Sequence, residues 1–259
     1  SSDTEVFLKL FVLDGISFLN SVRGMFSAAI YDSITEKLWL IRDRLGIKPL
    51  YFYTINGKMV FASEIKAIIA SGHYIPELAT GNVPSFFARR YVQSNRQLFK
   101  SIEELSPGSI LMWQKGNIKI DQYWQYNQVL ETRQGQKKSK EDLFFEFDHL
   151  FNRAVDEHLV GEVPFGAYLS AGLDSSSLVH SLAEKTSAPF ETFTIGFGWN
   201  QDEIKAASIF AKSFGLPHTE IHFTSADFQD LEKITFHNDN PLGDPIYFPT
   251  FKLAQVASQ

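Results

Sequence analysis

The 259-residue sequence contains no cysteine, and this absence removes several kinds of chemistry. Without thiols, these residues form no disulfides and provide no thiolate zinc ligand and no cysteine nucleophile. Positive charge is not in excess either, because 24 Lys and Arg stand against 30 Asp and Glu. The net charge of −6 argues against a nucleic-acid partner, since phosphate binding needs a clustered positive field. No apolar run approaches the roughly 18 residues of a membrane span, so no membrane partner is expected.

What is present is the composition of an ordinary globular protein, with 44% hydrophobic and 21% charged residues. At about 150 residues per domain, the length predicts one or two domains. The chain begins at Ser1 without a signal pattern and stops inside a helical pattern, which favours a fragment of a longer protein. The alternative is a natural N-terminal serine that serves as a nucleophile. The expected location is cytoplasmic by default.

Residues up to about 126 have mainly the pattern of strands. Two apolar runs flank Asn56-Gly57, which is a strong hairpin signal because both turn residues need a positive φ. A second hairpin is predicted around Gly116-Asn117. This part of the chain is therefore predicted to be α+β and built on antiparallel sheet.

A short helix is predicted directly after the first hairpin. Ser63 has the character of its N-cap, residues 64–70 form its body, and Gly72 closes it as the residue just past the end. Residues 131–139 are polar and contain glycine, and they predict a linker. The predicted domains are accordingly 1–130 and 131–259.

Beyond the linker, Ser139 and Asp142 have the spacing of a capping box, and apolar residues follow at helical intervals. Strands and helices then alternate. Strands are predicted over 165–169, 190–197 and 219–223, and helices over 176–184, 203–214 and 227–236. This alternation predicts an α/β domain with a parallel sheet and crossover helices.

The segment 169–176, Leu-Ser-Ala-Gly-Leu-Asp-Ser-Ser, joins a buried strand to a helix and carries the candidate chemistry. A helix N-terminus exposes unpaired N–H groups with partial positive charge, and small residues let those groups approach a polyanion. The serine hydroxyls add donors, and Asp174 can hold a Mg²⁺ that bridges to phosphate. The segment is not a Walker A loop. On these residues alone, an ordinary helix cap after a glycine turn stays open.

This loop resembles the S-G-G-x-D-S pyrophosphate loop of ATP pyrophosphatases, and residues 163–176 resemble glutamine-hydrolysing asparagine synthetases. Further matches to that family follow in order at residues 2–5, 42–51, 61–67, 105–108, 123–124 and 239–245. The resemblance implies that 1–130 is the C-terminal part of a class II glutamine amidotransferase domain, a partial Ntn-type sandwich. It implies that 131–259 is the N-terminal part of an ATP-pyrophosphatase synthetase domain with a Rossmann-like parallel sheet.

The function implied by the resemblance is ATP-dependent amidation of aspartate to asparagine, with glutamine as nitrogen donor and Mg²⁺ as the ion. An acyl-adenylate would form with release of pyrophosphate, and ammonia would then displace AMP. A homodimer is left open. The implied roles are glutamine binding by Asp3, adenosine binding by Leu169 and Ile195 through strand-end backbone, pyrophosphate binding by Ser170, Gly172, Asp174 and Ser175, and Mg²⁺ ligation by Asp174.

Departures from the family pattern limit these expectations. The family's cysteine nucleophile and second acidic loop would lie outside this chain, so no catalytic residue is expected within it and the chain alone is expected to be inactive. Ala171 replaces the first glycine of the loop; it is harmless in regular backbone and weakens ATP binding if φ is positive. Asn240 replaces a family glutamate, which leaves the amide acceptor open. The alternatives are an amidotransferase acting on a sugar acid, a peptide or a lactam-forming carboxylate, and a non-catalytic binding subunit.

Three other groups are given structural interpretations. His218, Glu220 and His222 share one face of a strand and could ligate zinc, but a solvent-facing strand edge is the simpler interpretation. The basic and aromatic run 89–91 is assigned to packing between domains. Asp43 and Arg44 are expected to form an ion pair that organises the first domain.

Overall fold

The computed structural model describes residues 2–92, 95–127, 138–161, 164–186, 189–198, 203–241 and 243–259. The chain forms two compact units. The first unit comprises Ser1–Gly135 and Asn238–Gly243, and the second comprises Gln136–His237 and Asp244–Gln259. The predicted boundary at 130/131 and most of the predicted linker lie outside the described residues.

The first unit is α+β, as predicted. Its elements are α1 (Asp3–Asp14), a 3-10 helix (Gly15–Asn20), β1 (Ser27–Asp32), β2 (Lys37–Arg42), β3 (Tyr51–Ile55), β4 (Lys58–Ala62), α2 (Ile65–Ala70), a 3-10 helix (Thr80–Asn82), α3 (Val83–Arg89), β5 (Glu103–Glu104), β6 (Ser109–Gln114) and β7 (Asn117–Gln122). Four strands pair in the order β1-β2-β6-β7 and three in the order β4-β3-β5. Every pairing among them is antiparallel.

Alternation along β2 explains how the layers of the first unit pack. Leu38 and Leu40 are buried with Phe52 of β3, so they join the two sheets face to face. Trp39 and Ile41 point to the other side and pack among residues of α1 and the following 3-10 helix. Because side chains alternate with period two, one strand serves both interfaces. The layers therefore run helix, sheet, sheet, with α2 covering the outer face of β3 and β4.

The local turn predictions of the first unit are largely confirmed. Asn56 and Gly57 have φ of 49° and 74° in the β3–β4 hairpin. The second hairpin turns at Lys115 and Gly116, one residue earlier than predicted, and Asn117 begins β7. The N-cap prediction for α2 is wrong: the cap position is Glu64, and no side chain at that position makes a capping bond.

The second unit has the predicted α/β architecture. Its elements are α4 (Lys140–His158), β8 (Gly166–Tyr168), α5 (Leu173–Lys185), β9 (Glu191–Gly196), α6 (Ile204–Ser213), β10 (His218–His222), a 3-10 helix (Ser225–Asp230), α7 (Leu231–Asn238) and α8 (Tyr247–Ala257). The strands pair in parallel in the order β10-β9-β8. The capping box of Ser139 and Asp142 is present at the start of α4.

Helices cover both faces of this parallel sheet. On one face, buried residues of α4, α5 and α6 pack together with Ala167 of β8. On the other, Leu253 of α8 packs against Phe193 of β9 and Ile221 of β10. This double coverage leaves the carboxyl ends of the strands as the place where loops meet, which is where open α/β sheets bind ligands.

Candidate functional site

A cavity of about 510 Å³ opens at the carboxyl end of the parallel sheet in the second unit. Its lining combines strand ends, the loop after β8 and one side of α8. The lining residues are Tyr168, Leu169, Ser170, Ser175, Phe193, Thr194, Ile195, Phe197, Glu203, Ile246, Pro249, Thr250 and Leu253. Four of the predicted site residues therefore meet at one cavity.

Serine hydroxyls hold the loop after β8 in shape. The hydroxyl oxygens of Ser170 and Ser175 lie 2.8 Å apart, and the Ser170 N–H donates to the Ser175 hydroxyl at 3.1 Å. The Gly172 N–H donates to the Ser170 hydroxyl at 3.1 Å. A hydroxyl can rotate and exchange hydrogen-bond partners. These serines therefore hold the loop in one conformation and can still donate hydrogen bonds to a ligand.

The start of α5 follows directly from this loop. Gly172 is its N-cap, with extended backbone at φ −74° and ψ 154°, and the helix begins at Leu173. Asp174 is exposed in the first turn and is not among the residues that line the cavity. The helix begins three residues earlier than predicted, which places Asp174 and Ser175 within the turn whose N–H groups have no intrahelical partner.

Ala171 is free of backbone strain. Its φ is not positive, unlike six other non-glycine residues among those described. The strain that would have weakened the loop at this position is therefore absent. An alanine fits the backbone here without a conformational penalty.

The backbone of Leu169 is already engaged with β9. Its N–H donates to the Phe193 carbonyl at 2.8 Å, and its carbonyl accepts from the Thr194 hydroxyl. A carbonyl oxygen has two lone pairs, so this one retains capacity for a ligand donor. The Leu169 side chain is 2% exposed, which makes it part of the floor of the cavity.

Glu203 is a cavity residue that the sequence interpretation missed. It is the N-cap of α6, and its carboxylate accepts the Ala171 N–H at 3.2 Å. The sequence carried only part of the signal: loops after neighbouring parallel strands emerge at the same edge of a sheet, but the pairing of β8 with β9 comes from the strand order of the structure. An acidic residue between β9 and α6 was thus placed to meet the loop after β8.

Lys252 anchors α8, which forms one wall of the cavity. Its ammonium donates to the His222 carbonyl and to the Asp227 carboxylate, both at 2.7 Å. The Lys252 ammonium lowers the pKa of Asp227, with help from the N–H and hydroxyl of Thr224. The side chains of Lys252 and Asp227 are largely buried, so the wall is fixed to the strand end by charge.

The strand with the suspected zinc ligands has another organisation. The ring Nδ1 of His218 lies 2.9 Å from the Thr192 hydroxyl, while Glu220 and His222 are exposed on the edge strand β10. Among the described residues, no group of three or more His, Asp and Glu side chains is arranged to hold a metal ion.

In the first unit, the expected ion pair between Asp43 and Arg44 is wrong. Arg42 forms the pair instead, at 2.6 Å from Glu104. Asp43 is 1% exposed, and its carboxylate accepts backbone N–H groups of the turn that follows β2. The donors are Leu45, Ile47 and Lys48, at 3.1, 3.0 and 2.9 Å. Arg44 donates to the Asn20 carbonyl at 3.1 Å.

Three motifs of the first unit converge on this turn. The Gly108 N–H donates to the Asp43 carbonyl at 2.8 Å, and the Tyr123 hydroxyl donates to the Arg42 carbonyl at 2.9 Å. A Cβ at Gly108 would lie 2.6 Å from the Trp124 carbonyl oxygen, so the close approach requires glycine. Burial raises the pKa of Tyr123 to about 12, which keeps its hydroxyl protonated as a donor. The contacts of these three motifs therefore stabilise the turn after β2.

Asp239 is also part of the first unit. Its carboxylate accepts the backbone N–H of Ile65 at 2.6 Å and the ammonium of Lys66 at 2.9 Å. It therefore supplies the N-terminal cap of α2 that Ser63 was predicted to provide. A Cβ at Gly243 would lie 2.0 Å from the Arg90 carbonyl oxygen, which fixes glycine at that position.

The exposed Asp3 starts α1, and its carboxylate accepts the Thr4 N–H at 2.7 Å. Asp3 belongs to the first unit, whereas the cavity residues belong to the second. Of the described helices, none has both the length and the apolar character of a membrane span.

Comparison with known families matches two different family models to two separate parts of the chain. The model of a glutamine amidotransferase domain matches residues 1–124, and that of asparagine synthase matches residues 146–259. A relative from Methanocaldococcus jannaschii is 32% identical over 260 residues, which is 99% of this chain and 50% of the relative. Asparagine synthetase [glutamine-hydrolyzing] 1 of Bacillus subtilis is 30% identical, over 100% of this chain and 40% of its own length. The chain belongs to the asparagine synthetase family.

This member of the asparagine synthetase family spans half or less of the length of those curated relatives. The similarity also extends to a protein with another name. Amidase chyE of Penicillium rubens is 29% identical over 265 residues, covering 94% of this chain and 38% of the amidase.

Proposed function

We propose that the chain is part of an enzyme that amidates aspartate to asparagine, with glutamine as nitrogen donor and ATP as activator. The observation that carries this proposal is the serine-held loop between β8 and α5, which borders a cavity of about 510 Å³. Small residues at a helix N-terminus, at the carboxyl end of a parallel strand, suit the phosphates of a nucleotide. The cavity size is typical of small-molecule sites.

The proposed roles follow the cavity lining. Leu169 and Ile195 contact the adenosine part, next to the apolar wall that includes Phe197 and Leu253. Ser170, Gly172, Asp174 and Ser175 surround the pyrophosphate part. Asp174 offers the carboxylate oxygen that Mg²⁺ prefers, and the bound ion would neutralise phosphate charge.

In the proposed reaction, an aspartate carboxylate oxygen attacks the α-phosphorus of ATP, and pyrophosphate leaves. Ammonia from glutamine then attacks the acyl carbon, and AMP leaves. Donors of the loop stabilise the negative charge that develops on the departing pyrophosphate, because they are already oriented before the reaction. The β8–α5 loop thus stabilises the leaving pyrophosphate. Selection of the carboxylate that is amidated is assigned to residues outside this loop.

Glutamine binding is assigned to the first unit. Asp3 has an exposed carboxylate at the start of α1, which can pair with the α-ammonium of glutamine. The match of residues 1–124 to a glutamine amidotransferase domain supports this assignment. A cytoplasmic location and a homodimer belong to the same proposal.

Calorimetric titration of this chain with ATP and Mg²⁺ tests the nucleotide site. We expect saturable binding, and we expect Ser175→Ala to weaken it about 10-fold or more, since a hydrogen bond to a charged group contributes roughly 1.5 kcal/mol or more. Ser213→Ala is the matched control, because that hydroxyl donates to the Phe210 carbonyl at 2.7 Å within α6 and lies outside the cavity lining. Absence of ATP binding at millimolar concentrations would contradict the proposal.

The similarity to the Penicillium rubens amidase favours one alternative, a related amidotransferase with another acceptor. ATP–pyrophosphate exchange by the full-length protein separates the two. Exchange supported by aspartate favours asparagine synthesis. Exchange supported by a sugar acid or a peptide, and not by aspartate, favours the alternative. Absence of exchange with every carboxylate tested would favour a non-catalytic binding subunit.

A further inference from the structure

The N–H of Ala171 is occupied by a carboxylate from another part of the second unit. Glu203 lies 32 residues further along the chain, and its Oε2 accepts this N–H at 3.2 Å. Ala171 is in the middle of the loop whose other hydrogen bonds come from neutral serine hydroxyls. Glu203 is thus an anion held against a loop that is proposed to bind anions.

A carboxylate oxygen and a phosphate oxygen are the same kind of acceptor for a backbone N–H. The Ala171 N–H points in one direction, so it cannot serve both at full strength. Glu203 also lines the cavity, which puts its negative charge beside any triphosphate bound there. Two effects therefore oppose phosphate: competition for a donor and repulsion between like charges.

We propose that Glu203 is a gating carboxylate, which occupies the Ala171 N–H when no nucleotide is bound and must be displaced by an incoming phosphate group. This inference rests on the proposed ATP site. Its effect is greatest on ligands whose phosphate charge is not neutralised by a cation. It has no effect on adenosine, which lacks phosphate.

Two variants separate charge from shape. Glu203→Gln retains an acceptor oxygen and removes the charge, and Glu203→Ala removes both. Glu232→Gln is the matched control, because Glu232 is, like Glu203, an exposed glutamate at the start of a helix of this unit, and it does not line the cavity. Glu203 is exposed, so circular dichroism and thermal unfolding are expected to show both variants folded as the wild type is.

Calorimetry with four probes provides the test: ATP with EDTA, ATP with Mg²⁺, inorganic pyrophosphate with EDTA, and adenosine. In both Glu203 variants, we expect the affinity for metal-free ATP and for pyrophosphate to rise about 10-fold or more, which is the size of one charge-assisted hydrogen bond. With Mg²⁺ the gain is expected to fall to about threefold or less, because the cation screens the repulsion. Adenosine affinity is expected to be unchanged.

Three calorimetric results would overturn the gating role of Glu203. Unchanged affinity for metal-free ATP and pyrophosphate in both variants would overturn the gating role. So would a loss of Mg²⁺–ATP affinity, which would make Glu203 a group that holds the ligand. A gain confined to Glu203→Ala would overturn it as well, since a neutral amide oxygen competes less than a carboxylate. If wild-type protein binds neither ATP nor adenosine, the failure is that of the proposed nucleotide site.

Discussion

The turn after β2 and the loop after β8 use the same device in opposite settings. In both, a short polar side chain accepts hydrogen bonds from backbone N–H groups of residues that follow it closely in the chain: Asp43 in the turn and Ser170 in the loop. Asp43 is buried, and its carboxylate already accepts three N–H groups. Ser170 and Ser175 border a cavity and hold the loop through neutral hydroxyls. A buried charge that is fully hydrogen-bonded fixes a backbone, while an accessible hydroxyl can release its partner to a ligand.

The largest effect is expected from removing the buried carboxylate. Asp43→Ala leaves three N–H groups without an acceptor at a site that is 1% exposed. Since each costs about 1 kcal/mol or more, we expect unfolding free energy to fall by roughly 3 kcal/mol or more in urea denaturation. Asp121→Ala, at a carboxylate that is 59% exposed in the same unit, is the control and is expected to change it by less than about 0.5 kcal/mol. Equal effects of the two substitutions would remove the contrast between the turn and the loop.

A second test concerns the cap of α2. Asp239→Ala removes the acceptor of the Ile65 N–H and the partner of the Lys66 ammonium. We expect a loss of about 1–2 kcal/mol in unfolding free energy, the range of an N-cap, and a smaller loss for Asp239→Asn. Asp14→Ala is the control, because its side chain makes no capping bond at the following 3-10 helix. A stability equal to that of wild type would show that α2 needs no cap from this segment.

A smaller effect is expected from pH. Burial lowers the pKa of His218 below its usual 6.5. Its Nε2 is buried without a partner among the described residues. The unfolded chain therefore binds a proton more readily, so stability contributed by this residue is lost as pH falls below about 6.5. In denaturation between pH 7 and pH 5, His218→Gln is expected to flatten this dependence, and an unchanged slope would contradict the assignment.

The smallest effect is expected at Ala171. Its φ is not positive, so Ala171→Gly relieves no strain. We expect ATP affinity to change less than about twofold, because glycine adds flexibility without altering the donor set. A gain of tenfold or more in calorimetry would instead mean that the methyl group crowds the phosphates.

Local patterns in the sequence were sufficient for much of this structure. Asn56-Gly57 specifies its hairpin because the turn depends on two adjacent residues, and Ser139 with Asp142 specifies its helix start within one turn. The predicted residues Leu169, Ser170, Ser175 and Ile195 line one cavity, because strand ends and helix starts can be located by periodicity and resemblance. Contacts between distant segments could not be found in this way. Ser63 had the pattern of a cap, yet α2 is capped by Asp239, which lies 174 residues away from Ile65 in the chain. The Glu203 contact depends on strand order, which periodicity does not encode.

The distance in sequence between Ile65 and Asp239 also means that α2 is synthesised before the residue that caps it. During synthesis, α2 leaves the ribosome well before its cap exists, because 174 residues separate the two partners. At about 5–20 residues per second, the delay is roughly 10–35 seconds. The strands of the first unit are complete only once β7 ends at Gln122, and from then on the nascent unit has its described strands but still lacks the carboxylate that completes α2. The unit that begins first is therefore completed only after nearly all of the other unit has been translated.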